Sequence, residues 1–436
     1  MTPRFALLRS LLLLACLYSI ALRAAEWSRF RGPNGAGMTE ASNLPATFDG
    51  SNTVWKVDAG RGWSSPVVWK EKVFYTAESG PGKRGIVCVN LIDGKTLWNY
   101  EVSFTEHTQH KFNSFATATP FVDQDRVYVN WTSGNTVEAL ALDHEGKLLW
   151  RKTDLANYIH EHGSGASAVV EDGIMIVRAE FDTGKGGQSF ATPEQMDWKS
   201  CILGLDAATG DRKWKLDIPN TLNPFSTPIV RNLPGGAHEF ILANTTSGYL
   251  GIDTKSGKIN WQYNPGYKQR SVCSFVLKDD VLFSAFGSGD GGKESGLIKL
   301  GGPGSTPEVV GSITKNIPYV PTPLLIGDHL YMLRDGGFLT CLKYPSGETI
   351  YSERLSSSSG RSTKYFSSPV PADGKIYCCS QTGDVVVVKA GYKFEVAAAN
   401  ALDAPINATP AITANQIVIR TEKSLWCIGG KPQPVP

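Results

Sequence analysis

The chain has 436 residues, and its 43 lysines and arginines nearly balance 41 aspartates and glutamates, for a net charge of +2. So even and dispersed a charge excludes the basic footprint of a nucleic-acid binder or a membrane-surface patch. A chain of this length buries ample core, so its eight cysteines are not needed as a stabilising disulfide framework.

Residues 1–24 place Arg4 and Arg9 before the apolar stretch 11–22 and end in small residues, which predicts a signal peptide cleaved after Ala21 or Ala24. Leu13-Leu14-Ala15-Cys16 is a loose lipobox, so lipoprotein anchoring through Cys16 is the alternative; the apolar residues after Cys16 count against it. Beyond this segment no apolar run is long enough to span a bilayer. The expected protein is periplasmic or secreted, with no transmembrane helix in its mature chain. Residues 25–52 form a predicted arm in which Trp27-Ser28-Arg29-Phe30-Arg31-Gly32-Pro33 mixes aromatics with turn residues and leaves Arg29 and Arg31 available for carboxylates.

From 53 to 430 the chain repeats. Gly94, Gly146, Gly210, Gly257 and Gly347 each stand four positions before a large aromatic, at Trp98, Trp150, Trp214, Trp261 and Tyr351. A Ser/Thr-x-Pro pattern leads the units at Pro66, Pro120, Pro228, Pro323, Pro369 and Pro410, with weak units near Ala168 and Phe275. The two rulers agree on eight units of about 45 residues, the length of a four-stranded propeller blade. Lys72-Val73-Phe74-Tyr75 and Arg126-Val127-Tyr128-Val129 are β-branched and aromatic runs bounded by turn residues, and no window has a capped helical period. The prediction is an all-β, eight-bladed β-propeller of four-stranded antiparallel blades.

The last unit stops after Leu425-Trp426-Cys427-Ile428 without an outermost strand, while Thr53-Val54-Trp55-Lys56-Val57 is a strand without a unit. The N-terminal strand is therefore expected to close the ring, since closure removes open sheet edges. Residues 431–436 remain as a C-terminal tail.

Two segments carry four of the seven histidines: His107-Thr108-Gln109-His110 followed by Asn113, and His160-Glu161-His162. Each lies between the outermost strand of one blade and the innermost strand of the next, a connection that reaches the mouth of the central channel. His107, His110, His160, Glu161 and His162 are thus candidate ligands for a divalent metal, and an open coordination position would suit metal-dependent hydrolysis. The plainer alternative is that these rings bond loop backbone or line a wet channel. Trp63, Phe225 and Phe366 share the register three positions before a leading proline, with Arg61, Arg270 and Tyr365 in comparable connections. They are candidates to rim the mouth and hold a small ligand, or to pack between the innermost strands.

The stretch 181–198 lengthens the third unit and is expected to emerge as a loop packed down by Phe190, Met196 and Trp198. Gly287-Ser288-Gly289-Asp290-Gly291-Gly292-Lys293 lacks the Ser or Thr and the helix of a phosphate loop, and reads as a hairpin turn.

The recurrent Ala-Leu-Asp-x-x-Thr-Gly-x-x-x-Trp pattern, closest from Gly204-Leu205-Asp206 to Trp214 and from Gly251-Ile252-Asp253 to Trp261, resembles the quinoprotein-type (PQQ-like) repeat. PQQ-dependent alcohol dehydrogenases share that repeat with BamB-like periplasmic scaffolds of outer-membrane assembly. The dehydrogenase side of the resemblance implies PQQ with calcium and a disulfide between adjacent cysteines. Cys378-Cys379 continues the strand Lys375-Ile376-Tyr377, where neighbouring side chains point to opposite faces, and no calcium-ligand set or Cys-x-x-Cys-His haem motif can be placed. The favoured expectation is a noncatalytic, monomeric binding or assembly scaffold that meets a protein partner or small ligand on the channel face. The alternatives are a PQQ-dependent oxidoreductase and a metal- or small-ligand-binding protein using the histidine cluster.

Overall fold

The computed structural model describes residues 26–110, 113–160, 162–163, 165–183, 191–289, 291–357 and 364–430. Its strands form eight antiparallel sheets, seven of four strands and one, the fifth, with its innermost strand split in two. In chain order the blades span 67–103, 121–157, 169–217, 229–263, 270–311, 324–354 and 370–401, and the eighth combines 411–429 with Thr53–Asp58. That N-terminal strand pairs antiparallel with Ser424–Gly429, so the eighth blade contains both ends of the ring. Among the described residues helix is confined to three short 3-10 turns.

Within a blade the middle strands are the most buried, wholly so at Ile174–Ala179, whereas the outermost strand Arg212–Asp217 buries only Trp214 fully. The recurrent Gly and Trp explain each other across blades. Trp150 of the second blade donates its indole N–H to Ala207 O at 3.0 Å, and a Cβ on Gly210 of the third blade would stand 2.5 Å from the same ring. The same pair recurs at Trp98 with Gly146 and at Trp214 with Gly257, and Trp55 of the closing strand meets Gly94 of the first blade. The four-residue signature is therefore a key on one blade and the notch for the preceding one. Trp261 departs from it, donating to Glu239 Oε1 at 2.8 Å within its own blade.

A ring of hydroxyls closes around the channel. The backbone amide of each residue directly before a leading position donates to the hydroxyl oxygen of its counterpart in a neighbouring blade: Ser65 to Thr119, Thr119 to Ser167, Ser167 to Thr227, Thr227 to Ser274, Ser274 to Thr322, Thr322 to Ser368, and Ser368 to Thr409, at 2.8–3.3 Å. Thr409 N then returns to Ser65 Oγ at 2.9 Å. The hydroxyl that works stands one place nearer the proline than the Ser/Thr-x-Pro pattern puts it, directly before it, and persists at Ser167 and Ser274, where Ala168 and Phe275 replace proline.

The arm forms a floor. Trp27 bridges Val68 of the first blade, Ser28 O accepts from Val122 N of the second, Asn34 exchanges bonds with Val230 of the fourth, and Arg31 reaches Thr322 O and Pro323 O of the sixth. A segment touching blades on opposite sides of a ring must cross its axis. Arg29 and Arg31 do not meet carboxylates, contrary to expectation: Arg29 donates to Pro228 O, and Arg31 to four backbone carbonyls. Being buried at 3% and 0% exposure, they do the work of satisfying carbonyls that no strand partner reaches.

The long connection in the third blade is held by Trp198 and Ala191 against the neighbouring core, with Thr192 and Gln195 forming a capping box; Met196 is exposed instead, and Phe190 lies outside the described residues. The glycine-rich run joins the hairpin Val281–Ser288 and Gly291–Lys299. The signal-like segment, Cys16 and the tail 431–436 also lie outside the described residues. No helix among the described residues is long and apolar enough to cross a membrane.

Candidate site at the channel mouth

The connections that lead into the innermost strands converge on a cavity of about 500 Å³. Trp63, His110, Asn113, His162, Phe225, Arg270 and Phe366 line it, and Phe30 of the arm contributes from the floor side. Collar hydroxyls of Ser65, Thr119, Ser167, Thr227, Thr322 and Thr409 form its waist. The volume falls within the range of small-molecule pockets.

Local bonds hold the two histidine loops together. Asn113 Nδ2 donates to His162 O at 2.5 Å while its Oδ1 accepts from Thr117 Oγ1, and Tyr158 hydroxyl donates to Gly163 O at 2.6 Å. The His110 and His162 rings are 4.7 Å apart, and His162 stands edge-on to Phe225 at 5.5 Å. His160 sits behind them: its Nδ1 accepts from His162 N at 3.1 Å, and its Nε2 lies 3.4 Å from Arg270 Nη2. Burial, then the charge of Arg270, then the neighbouring imidazoles hold the His160 pKa down at about 2; burial, His110 and Arg270 hold His162 at about 4. Both are neutral rings at neutral pH.

The other marked residues go elsewhere. His107, also shifted down by burial, lines an adjoining small hollow with Arg84 and Trp131, which His162 also borders, and bonds Thr108 O at 2.8 Å. Arg61 lies on an outer hollow beside Asp58 and Asp403, 3.7 Å from Glu78. Tyr365 is fully buried in the core between the sixth and seventh blades, so the register that brings Phe366 to the mouth turns its neighbour inward. Glu161 lies outside the described residues. Sequence reasoning missed the hydroxyl collar and Tyr319, which is placed by Asp335 accepting from the Tyr319 and Val320 amides at 2.7 and 3.1 Å. The repeated Ser/Thr directly before proline was the visible signal for the collar.

Among the described residues the imidazoles do not bring three ligand atoms within 4.8 Å of one another, whereas Glu171, Asp172 and His238 do. Arg270 against His160 also repels a cation. The Glu171, Asp172 and His238 group ties the third blade to the fourth: His238 Nδ1 is 3.0 Å from Asp172, which also takes the Thr254 hydroxyl at 2.6 Å and has Lys255 at 3.8 Å.

A calcium-bound quinone does not fit. Calcium takes oxygen ligands, usually with carboxylates, and the described lining has no aspartate or glutamate. Cys378 and Cys379 are both free and fully buried, packed into the cores on opposite sides of their blade rather than beneath the cavity.

The family model described as "Outer membrane protein assembly factor BamB" matches residues 46–191. No curated protein sequence matches the chain. Among solved structures, BamB from Moraxella catarrhalis is similar over 88% of this chain and 99% of its own, with a TM-score of 0.61 at 13% identity. Quinohemoprotein alcohol dehydrogenase from Comamonas testosteroni is similar over 95% of this chain and 82% of its own, with a TM-score of 0.66 at 12% identity. Sqt1 of Saccharomyces cerevisiae is similar over 90% of this chain and all of its own, with a TM-score of 0.60 at 9% identity. At these identities the likeness is one of fold.

Proposed function

We propose that this eight-bladed propeller, whose repeats resemble the PQQ-like repeat, is a noncatalytic binding protein, working as a monomer outside the cytoplasm, that takes its ligand at the mouth of the central channel. The observation that carries this reading is convergence. Trp63, Phe225 and Phe366 from different blades meet neutral imidazoles and Arg270 at one end of a channel whose other end the arm occupies. A blind cup with apolar walls and a few aimed polar groups is the shape of a small-molecule site. The signal-like segment 1–24 supports export. The family match to an assembly factor supports binding over chemistry, and the cup identifies a place where a partner's side chain or a free ligand would insert.

The dehydrogenase reading has no observation of its own beyond the shared fold, because the donor set and the cysteine placement do not fit it. The test is retention. Full-length protein expressed with export is purified and denatured, and the small molecules or peptides released are measured by mass spectrometry for wild type, Phe225→Ala and His162→Ala. A species held stoichiometrically by wild type and reduced in both variants is expected. Equal release from all three, with the variants folded, sinks the channel-mouth reading.

A further inference from the structure

We infer that the channel mouth is an anion site whose ligand is a flat organic acid, its carboxylate or phosphate head held by Arg270 and the hydroxyl collar and its body stacked among Trp63, Phe225 and Phe366. This rests on the mouth being the binding site.

The first observation is Arg270. Arg84, Arg178 and Arg231 are buried and each is paired with a glutamate, at Glu138, Glu180 and Glu239. Arg29, Arg31 and Arg420 are buried and answered by backbone carbonyls. Arg270 has neither: its guanidinium lies 5.7 Å over Phe225 and 3.4 Å from a neutral imidazole, its Nε is buried without an acceptor, and among the described residues no carboxylate pairs with it. A part-buried guanidinium that no carboxylate among the described residues answers is set up for an anion supplied from outside.

The second observation is the collar. Each collar oxygen already accepts a backbone amide from another blade. Among the described residues none of the collar hydroxyls donates to a protein acceptor, so the six that line the cavity have a proton to offer the lumen. Trp63 Nε1 is likewise buried without a partner. The collar hydroxyls, Trp63 and Arg270 thus offer donors, a set that rewards an acceptor-rich head over a cation. The aromatic walls and a cavity of about 500 Å³ ask for a planar body rather than a bare ion.

The test is calorimetric titration of the full chain at low salt with naphthalene-2-carboxylate, naphthyl phosphate and the neutral naphthalene-2-carboxamide. One or both acids should bind at least tenfold tighter than the amide, and the stronger of the two identifies the head. That preference should fall steeply with added KCl and vanish in Arg270→Gln, with Arg270→Lys keeping part of it. Acids and amide binding equally, both weakened by Phe225→Ala, would overturn the anion assignment while leaving the mouth as the site. Acids that do not bind at millimolar concentration overturn it too, and the retention experiment then judges the mouth separately. The salt dependence in unmodified protein keeps the proposal falsifiable even if the arginine variants fail to fold.

Discussion

The backbone amide of Thr409 donates to Ser65 Oγ at 2.9 Å, and this contact joins the last blade to the first. Because Ser65 Oγ is buried, Ser65→Ala leaves the Thr409 N–H without an acceptor, at a cost of about 1–3 kcal/mol. Urea unfolding should show a lower midpoint with an unchanged slope. A midpoint equal to wild type would mean that the sheet pairing of Thr53–Asp58 with Ser424–Gly429 alone closes the ring.

Gly210 tests the interlocking of blades. Its φ of +74° lies where L residues cost about 1–2 kcal/mol. Its Cβ would also stand 2.5 Å from Trp150, and overpacking adds about 1–3 kcal/mol. Gly173 has a similar φ of +72° with nothing within 4 Å of an added Cβ. Gly173→Ala should therefore lose only the backbone part, and Gly210→Ala clearly more. Equal losses in thermal melts would remove the notch from the account.

Arg31 holds the floor. Its guanidinium donates to Gly35 O, Ala36 O, Thr322 O and Pro323 O, and charge-assisted bonds contribute about 1.5–3 kcal/mol each before the cost of burying the charge. Arg31→Met keeps the volume and removes the bonds. The amides of Val68 and Val122, bonded to Trp27 O and Ser28 O at 2.9 and 2.7 Å, should then exchange hydrogen at least tenfold faster, while Tyr75 inside the first blade stays protected. Unchanged exchange at Val68 and Val122 would show that the arm docks through Trp27 and Asn34 alone.

The fold was legible because a repeat states its own period. Gly94 to Trp98 and its copies fix the blade length, and the orphan strand before Pro66 announces how the ring ends. The convergence at the mouth was half legible. Register placed Trp63, Phe225 and Phe366 in equivalent connections, but whether a side chain beside them faces the lumen depends on the alternation of the strand, which sends Tyr365 into the core. How the arm is anchored could not be read, since the carbonyls of Pro228, Thr322 and Pro323 that Arg29 and Arg31 reach belong to residues some 200–290 positions away. Hydrogen bonds to backbone leave no trace in the partner's identity.

The histidines at the mouth set a pH dependence whose sign follows from their burial. In the unfolded chain each titrates near the ordinary value of about 6.5. In the fold, burial and Arg270 hold His160 at about 2, and burial, His110 and Arg270 hold His162 at about 4. The depressed values mean that the unfolded state takes up protons first. Stability contributed by keeping these rings neutral is thus complete above pH 6.5 and declines as the pH falls, by up to about 1.4 kcal/mol per unit for each ring. The decline for His162 ends near 4, where the folded ring also protonates, and that for His160 continues below it. Replacing both with glutamine, which keeps a polar side chain without a titrating ring, should flatten the fall in melting temperature between pH 6.5 and 4 relative to wild type. Parallel curves for the two proteins over that range would mean that the rings are charged in the fold, and the anion site would then gain positive charge from them as well as from Arg270.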